Sequence, residues 1–242
     1  MLEPVQAPIQ RMTIFKTPKM QIVVALSAIW LTSWLHAGGI RLVFLLFLSL
    51  VVTIGSDFLF ARLRGKPFFF PSAAIVSAII IALLVSPWYQ IFLVGLLAMG
   101  SKNFLRVGDR HIFNPAAFGL WLGGIIFSQN TSWWGVSWQQ LASQPLAFVI
   151  LLTPFLISAL RMRRYFIQLV FLLVLILFKA SLLDPALLFF AAVMLPEPMT
   201  TPLKPTTQLA FGVAVALLSL IPYFPDPLLL ALLISNVLFF KR

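Results

Sequence analysis

The chain of 242 residues has no cysteine. That excludes disulfides, thiolate-held iron–sulfur clusters and thiol catalysis. Its only histidines, His36 and His111, are too few for a multi-histidine zinc or haem site. Charge is scarce: 10% of the residues are Asp, Glu, Lys or Arg, where a soluble domain carries roughly 25%. No Ser-His-Asp set, phosphate-binding loop or dinucleotide fingerprint is present, so no catalytic residue is assigned. No long polar stretch marks a separate soluble domain. What is abundant is apolar bulk: 61% hydrophobic residues, 24 Phe and a mean hydropathy of +1.04. Lipid is the natural solvent for such a chain.

Ten hydrophobic segments are expected, at about 21–37, 40–62, 71–86, 88–105, 114–128, 145–160, 165–183, 185–196, 206–222 and 226–240. A full crossing needs about 20 residues, and several of these are shorter. Residues 1–20 read as a cytoplasmic tail, 21–128 as a first five-helix unit, 129–144 as an outer loop and 145–242 as a second five-helix unit. With the amino terminus inside, fifteen basic residues fall on the inner side and only Arg41 and Lys179 on the outer. This asymmetry predicts ten crossings of the inner (plasma) membrane with both termini cytoplasmic. The net charge of +11 is thereby a topology signal, and no basic folded domain exists to bind nucleic acid. Trp34, Trp88, Trp133, Trp134 and Trp138 fall near the outer face, as interfacial anchors do.

The halves repeat one another. Segments three and eight open at Pro71 and Pro185; segments five and ten open with Asn114–Pro115 and Asp226–Pro227. Asn or Asp can accept from the free N–H groups of a first turn, and Pro at the first helical position loses nothing there. Five crossings per unit is odd, so the units lie in opposite orientation. The fold class expected is an all-α integral membrane protein of about ten transmembrane helices in two inverted five-helix repeats, with helices three and eight short or broken.

Segment eight runs into "MLPEPMTTPLKP" (194–205), four prolines and one carboxylate between apolar runs. Twelve residues of helix span roughly 18 Å of a core about 30 Å thick. Non-helical backbone at that depth is tolerated only when buried in protein or lining a polar cavity. On that reading Glu197 faces a cavity, a cation or a cofactor, and Thr200 and Thr201 satisfy freed backbone groups; the alternative is a solvated surface loop. The other polar stretch, "GSKNFLRVGDRHIFNPAAFG" (100–119), brings Lys102, Arg106 and Arg110, able to hold a phosphate or an acidic partner, or to act as topology charges alone. Gly108–Asp109 reads as a turn. Asp57 lies inside segment two, either on an ion path or paired locally with Arg62 or Arg64.

Together "FPSAAIVSAIIIALLV", "GSKNFLRVGDRHIFNPAAFG" and "FFAAVMLPEPMTTP" resemble the membrane subunit family shared by the D subunit of the Rnf electron-transport complex and the B subunit of sodium-pumping NADH:quinone reductase. The resemblance covers roughly residues 68–125 and 185–215. It implies ten helices in two inverted repeats and flavin-linked electron transfer coupled to Na⁺ or H⁺ movement. It also implies other subunits or a cytoplasmic reductase as partners, because this chain has no nicotinamide site. The family's acidic-Pro-x-Thr pattern maps onto Glu197, Pro198 and Thr200. The cofactor-binding candidates are then Glu197, Thr200, Thr201, Asn114 and Arg110, and the ion-path candidates Asp57 and Glu197. The chain departs from the family where the flavin phosphoester forms: Gln144 stands in place of the modified Thr, and a carboxamide cannot form that bond. Non-covalent flavin (FMN or riboflavin) is expected rather than covalent FMN. A stand-alone transporter or channel for a small solute or ion is the alternative function.

Overall fold

The computed structural model describes residues 17–136, 145–178, 184–222 and 225–240. The tail before Thr17, Trp138, Gln144 and its neighbours, Lys179, Lys241 and Arg242 lie outside the described residues. The described chain is mostly helical. Its helices are α1 (Pro18–Ala37), α2 (Ile40–Leu63), α3 (Ser72–Leu84), α4 (Trp88–Phe104), α5 (Pro115–Phe127), α6 (Pro145–Leu156), α7 (Tyr165–Leu177), α8 (Pro185–Phe189), α9 (Pro205–Ser219) and α10 (Pro227–Leu238). A two-residue antiparallel pair, β1 (Arg106–Val107) and β2 (Arg110–His111), closes over the Gly108–Asp109 turn. Two helices, α1 and α2, are long and apolar enough to cross a membrane; the others are shorter.

The helix starts follow from capping chemistry. Thr17 accepts from Met20 N at 3.4 Å, with Pro18 at the first position, so α1 begins three residues earlier than the expected boundary. Asn114 accepts from Ala117 N at 3.0 Å and Asp184 from Ala186 N at 2.9 Å. Asp226 departs from this pattern: it starts α10 in the left-handed region (φ 45°) without capping it, and its carboxylate turns to Thr131 instead. Two helices end in π-turns, Ile157–Arg161 after α6 and Phe190–Met194 after α8. Pro154 inside α6 removes a helical donor just upstream of the first.

The two short elements are the most enclosed. α3 is buried continuously from Ser77 to Leu84, and the α8 segment from Phe189 to Leu195. α3 packs on α1, α2, α4 and α5; the π-turn after α8 packs on α6 and α7. α2 lies on α4 and α4 on α5, while α7 lies on α9 and α9 on α10. Between the halves, α1 meets α6 and α5 meets α10. Glycines set the closest crossings. A Cβ at Gly95 would stand 2.8 Å from Val52 of α2, and one at Gly212 would stand 2.7 Å from the Ile167 carbonyl of α7. Helices without this atom approach until backbones touch. The outward faces are apolar: Phe44, Phe47, Val51 and Leu59 of α2, and Leu169, Leu173 and Leu177 of α7, are each about half exposed or more.

Candidate functional site

Residues 195–202 leave helical geometry inside the protein, and the polar backbone atoms here and at Met194 find side chains. Asn114 Nδ2 donates to the Met194 carbonyl at 3.0 Å, and Asn236 Nδ2 to Thr200 O at 3.4 Å. Arg110 donates from Nε to Met199 O at 3.0 Å and from Nη2 to Thr201 O at 3.2 Å. Arg164 donates to Pro198 O at 3.4 Å and to the Thr201 hydroxyl at 2.9 Å. The Glu197 carbonyl accepts from Thr201 N at 3.2 Å and Thr201 Oγ1 at 2.7 Å. Leu195, Pro196, Thr200, Thr201 and Pro202 are buried. Of the stretch 194–205, residues 194–196 and 200–202 are buried in protein, Glu197, Pro198 and Met199 are half-buried, and Leu203, Lys204 and Pro205 are exposed. Donors come from both halves of the chain, Arg110 and Asn114 from one and Arg164 and Asn236 from the other.

The Glu197 side chain lines a cavity of about 50 Å³ between the halves, with Lys19, Ser77, Asn114 and Ser158 among its polar neighbours and Ile22, Val76, Ile80 and Val193 as apolar wall. Glu197 Oε1 stands 3.1 Å from His111 Nε2, while Oε2 is buried without a partner. Both residues lie in connections, outside the helices. Burial raises the Glu197 carboxyl from 4.5 to about 7, against the opposing pull of the Lys19 and Lys102 charges. Burial, helped by Arg106 and Lys102, pushes His111 down to about 3. His111 is therefore neutral near pH 7, and Glu197 is close to half-protonated. In one state the imidazole N–H donates to the carboxylate; in the other a carboxyl O–H faces an imidazole nitrogen. The arrangement can take up and release one proton, or hold a small cation against the free Oε2.

Asp57 sits apart from this cavity. It is fully buried and bonds Lys102 Nζ at 2.5 Å and Asn103 Nδ2 at 2.9 Å. Its partner is a lysine on α4, 45 residues away, and not Arg62 or Arg64. Asn114 and Arg110 flank the broken segment and Thr200 and Thr201 lie in it; each side chain bonds a backbone carbonyl, the two hydroxyls that of Glu197.

His111, read from the sequence as a structural histidine beside a helix start, is the partner of Glu197, and Arg164 and Asn236, which the sequence reading did not place at the site, hold the segment around it. Asn236 and Gln168 were visible as lone polar residues inside apolar runs, a recognisable signal. Gln168 Nε2 bonds Ser158 Oγ at 2.7 Å and the Ala191 carbonyl at 3.1 Å in the π-turn.

A second arrangement closes the end of α3. Ser132 N and Gly135 N donate to the carbonyls of Leu84 and Leu83 at 3.0 and 2.8 Å. Trp134 Nε1 bonds Ala82 O at 3.1 Å. Asp226 of the second half holds this loop through Thr131 N and Oγ1, both at 2.9 Å. The segment around Trp133–Trp134 is thus a cap on α3 as well as a loop. Among the described residues no cluster of His, Asp or Glu has the makings of a metal site. Compared with known families, the chain matches no family model, and no curated protein is found similar to it.

Proposed function

We propose that this chain is an integral membrane subunit of an Rnf/Nqr-like electron-transport system. In this reading ten helices cross the inner membrane as two inverted five-helix repeats, both termini are cytoplasmic, and a cytoplasmic reductase or further subunits exchange electrons with the complex. One observation carries the reading. The three sequence blocks of the resemblance, far apart in the chain, converge on one cavity: Ala73, Val76 and Ser77 from the first, Asn114 and Pro115 from the second, Val193, Glu197 and Pro198 from the third.

The repeat is supported by matched packing. The α2–α4–α5 contacts have counterparts in α7–α9–α10, and the contacts between halves, α1 with α6 and α5 with α10, pair equivalent helices as a two-fold axis requires. Asn114 and Asp226 also correspond in position: Asn114 bonds the Met194 carbonyl at the end of the π-turn after α8, and Asp226 bonds Thr131 in the loop that caps α3. The membrane is supported by the apolar outward faces of α2 and α7, since a water-soluble monomer seldom shows apolar patches of that extent.

The resemblance implies a flavin, and this cavity does not fit one. Its 50 Å³ compares with roughly 300–1,000 Å³ for pockets that take cofactor-sized ligands. Of the five cofactor candidates, Glu197 and Asn114 line the cavity, and of these only Glu197 has a buried side-chain atom without a partner. What the cavity suits is a proton, a small cation or a few waters. The chain's own part is then the ion step at Glu197, with electrons carried in the wider complex.

The test is purification from native membranes followed by reconstitution. Redox-active bands from co-purifying subunits, and cation or proton uptake only with an electron donor, are expected. Uptake of a small solute or ion without any donor would replace this reading with the stand-alone transporter. Finding no redox partner and no donor-driven flux would sink it.

A further inference from the structure

A larger basin opens beside the cavity, at the end of the bundle that carries the β-hairpin. Its volume is about 370 Å³, within the range of small-ligand pockets. Five cations line it, Lys19, Arg64, Lys66, Lys102 and Arg106, against one acid, Asp57. That acid is committed to Lys102 and Asn103. Among the described residues the only other ion pair is His111–Glu197, so four of the five cations are in no ion pair, although Lys19 shares the neighbouring cavity with Glu197 and Arg106 feels the charge of Asp109.

Arg106 is the most telling. Nη1 donates to the Lys102 carbonyl at 3.3 Å and Nη2 to the Asp109 carbonyl, which fixes the guanidinium plane. Nε is shielded from solvent and has no partner. Burial, and next the charge of Arg64, lower Arg106 from its ordinary value, so the cations repel one another as they stand. An oxyanion among them relieves that repulsion. The first turn of α3 opens into the same volume through Ser72 and Ala73, adding the positive end of a thirteen-residue helix. The remaining wall is aromatic: Lys102 Nζ lies 5.4 Å from the Phe69 ring centroid, and Phe70 is about half exposed. A topology rule places cations in such connections. It does not gather them in a concavity with a neutralised acid and an aromatic floor.

We propose that this basin binds a phosphate-bearing ligand, its oxyanion held by Lys19, Arg64, Lys66 and Arg106 and its apolar body resting on Phe69 and Phe70. A soluble phosphate monoester and a phospholipid headgroup share this chemistry.

Two arms distinguish the sources. In the first, phenyl phosphate is titrated into the full chain in neutral detergent and followed by phosphorus NMR. In the second, the chain is placed in bilayer discs of mixed phosphatidylcholine and phosphatidylglycerol, repurified, and its retained lipid measured. Arg64→Gln and Lys66→Gln sit at the end of α2 and in the turn beyond, and helical circular dichroism checks their folding. Each should weaken binding at least roughly tenfold, the loss expected for one charge-assisted hydrogen bond. Lys204→Gln, a cation outside the basin, should change nothing. Loss in the first arm identifies a soluble monoester; loss of phosphatidylglycerol enrichment in the second identifies a headgroup. No binding in either arm, or an equal effect of Lys204→Gln, overturns the proposal. Neither arm uses an electron donor, so its failure is separate from failure of the redox reading.

Discussion

Replacing Glu197 by Gln tests the electrostatics of the cavity most directly. The variant keeps the size of the side chain and an oxygen for His111 Nε2, now at 3.1 Å from Oε1, but removes the ionisation. In the folded protein the Glu197 carboxyl binds its proton up to about pH 7, where an ordinary carboxyl releases it near 4.5. Between those values the folded state holds more protons than the unfolded state. Stability therefore falls as pH rises through this window. At about 1.4 kcal/mol per pH unit, the burial of the charge costs about 3 kcal/mol above pH 7.

His111 works in the opposite sense. Its folded value of about 3 lies below the ordinary 6.5, so between them the folded state holds fewer protons and stability rises with pH. In the wild type the two slopes largely cancel from about pH 4.5 to 6.5. The informative quantity is thus the difference between Glu197→Gln and wild type. It should be near zero at pH 4 and should grow in favour of the variant to about 3 kcal/mol by pH 8. The assay is apparent thermal unfolding in detergent across that range, at one scan rate, with donor-driven ion uptake measured alongside. The variant should be more stable at pH 8 and lose the uptake. Parallel stability curves for the two proteins would refute the reasoning, because they would mean that Glu197 carries no burial cost.

The remaining expectations concern packing and topology. Asp57→Asn strands the largely buried Lys102 ammonium and should cost about 3–5 kcal/mol, whereas Asp57→Leu combined with Lys102→Met should recover most of that loss; unfolding in denaturant distinguishes the two. Gly212→Val drives a side chain into Ile167 and Val170 of α7 and should cost at least 1–3 kcal/mol, while Gly100→Ala, whose nearest neighbour would be Phe60 at 4.0 Å, should be close to neutral. Because the chain has no native cysteine, Asp109→Cys and Asn130→Cys each provide a single thiol. An impermeant maleimide applied to intact cells should label only the second; labelling of both from one side would break the odd number of crossings between them.

Helix positions were legible in the sequence because their boundaries are written locally. Asn114–Pro115, Pro185 and Asp226–Pro227 mark starts where expected, though Asp226 does not cap, while Thr17–Pro18 starts α1 within the expected tail; the helix starts observed lie within about three residues of the expected ones. Gly108–Asp109 likewise forms the expected turn. What stayed hidden was which residue faces which. Asp57 has arginines five and seven positions away, and sequence proximity favours them. Yet the carboxylate points into the α2–α4 contact, where Gly95 lets the helices close and Lys102 arrives from α4. These helices are apolar nearly all round, so their sequences do not fix the rotation that decides such pairs.

The same reasoning changes what the basic residues mean. Counted along the chain, Arg110 and Arg164 are two of many inner cations. In the fold they meet at carbonyls that no helix satisfies. An arginine presents several donors in a rigid fork, and here two such forks hold Pro198, Met199 and Thr201, carbonyls that a lysine ammonium would reach one at a time. The broken segment needs these donors because its prolines remove N–H groups and its carbonyls remain. Once the backbone is held from both halves, the Glu197 side chain is left over, with one oxygen on His111 and the other buried without a partner. A rigid frame of arginine and asparagine around a single uncommitted carboxylate lets that carboxylate change its charge while the surrounding backbone keeps its bonds.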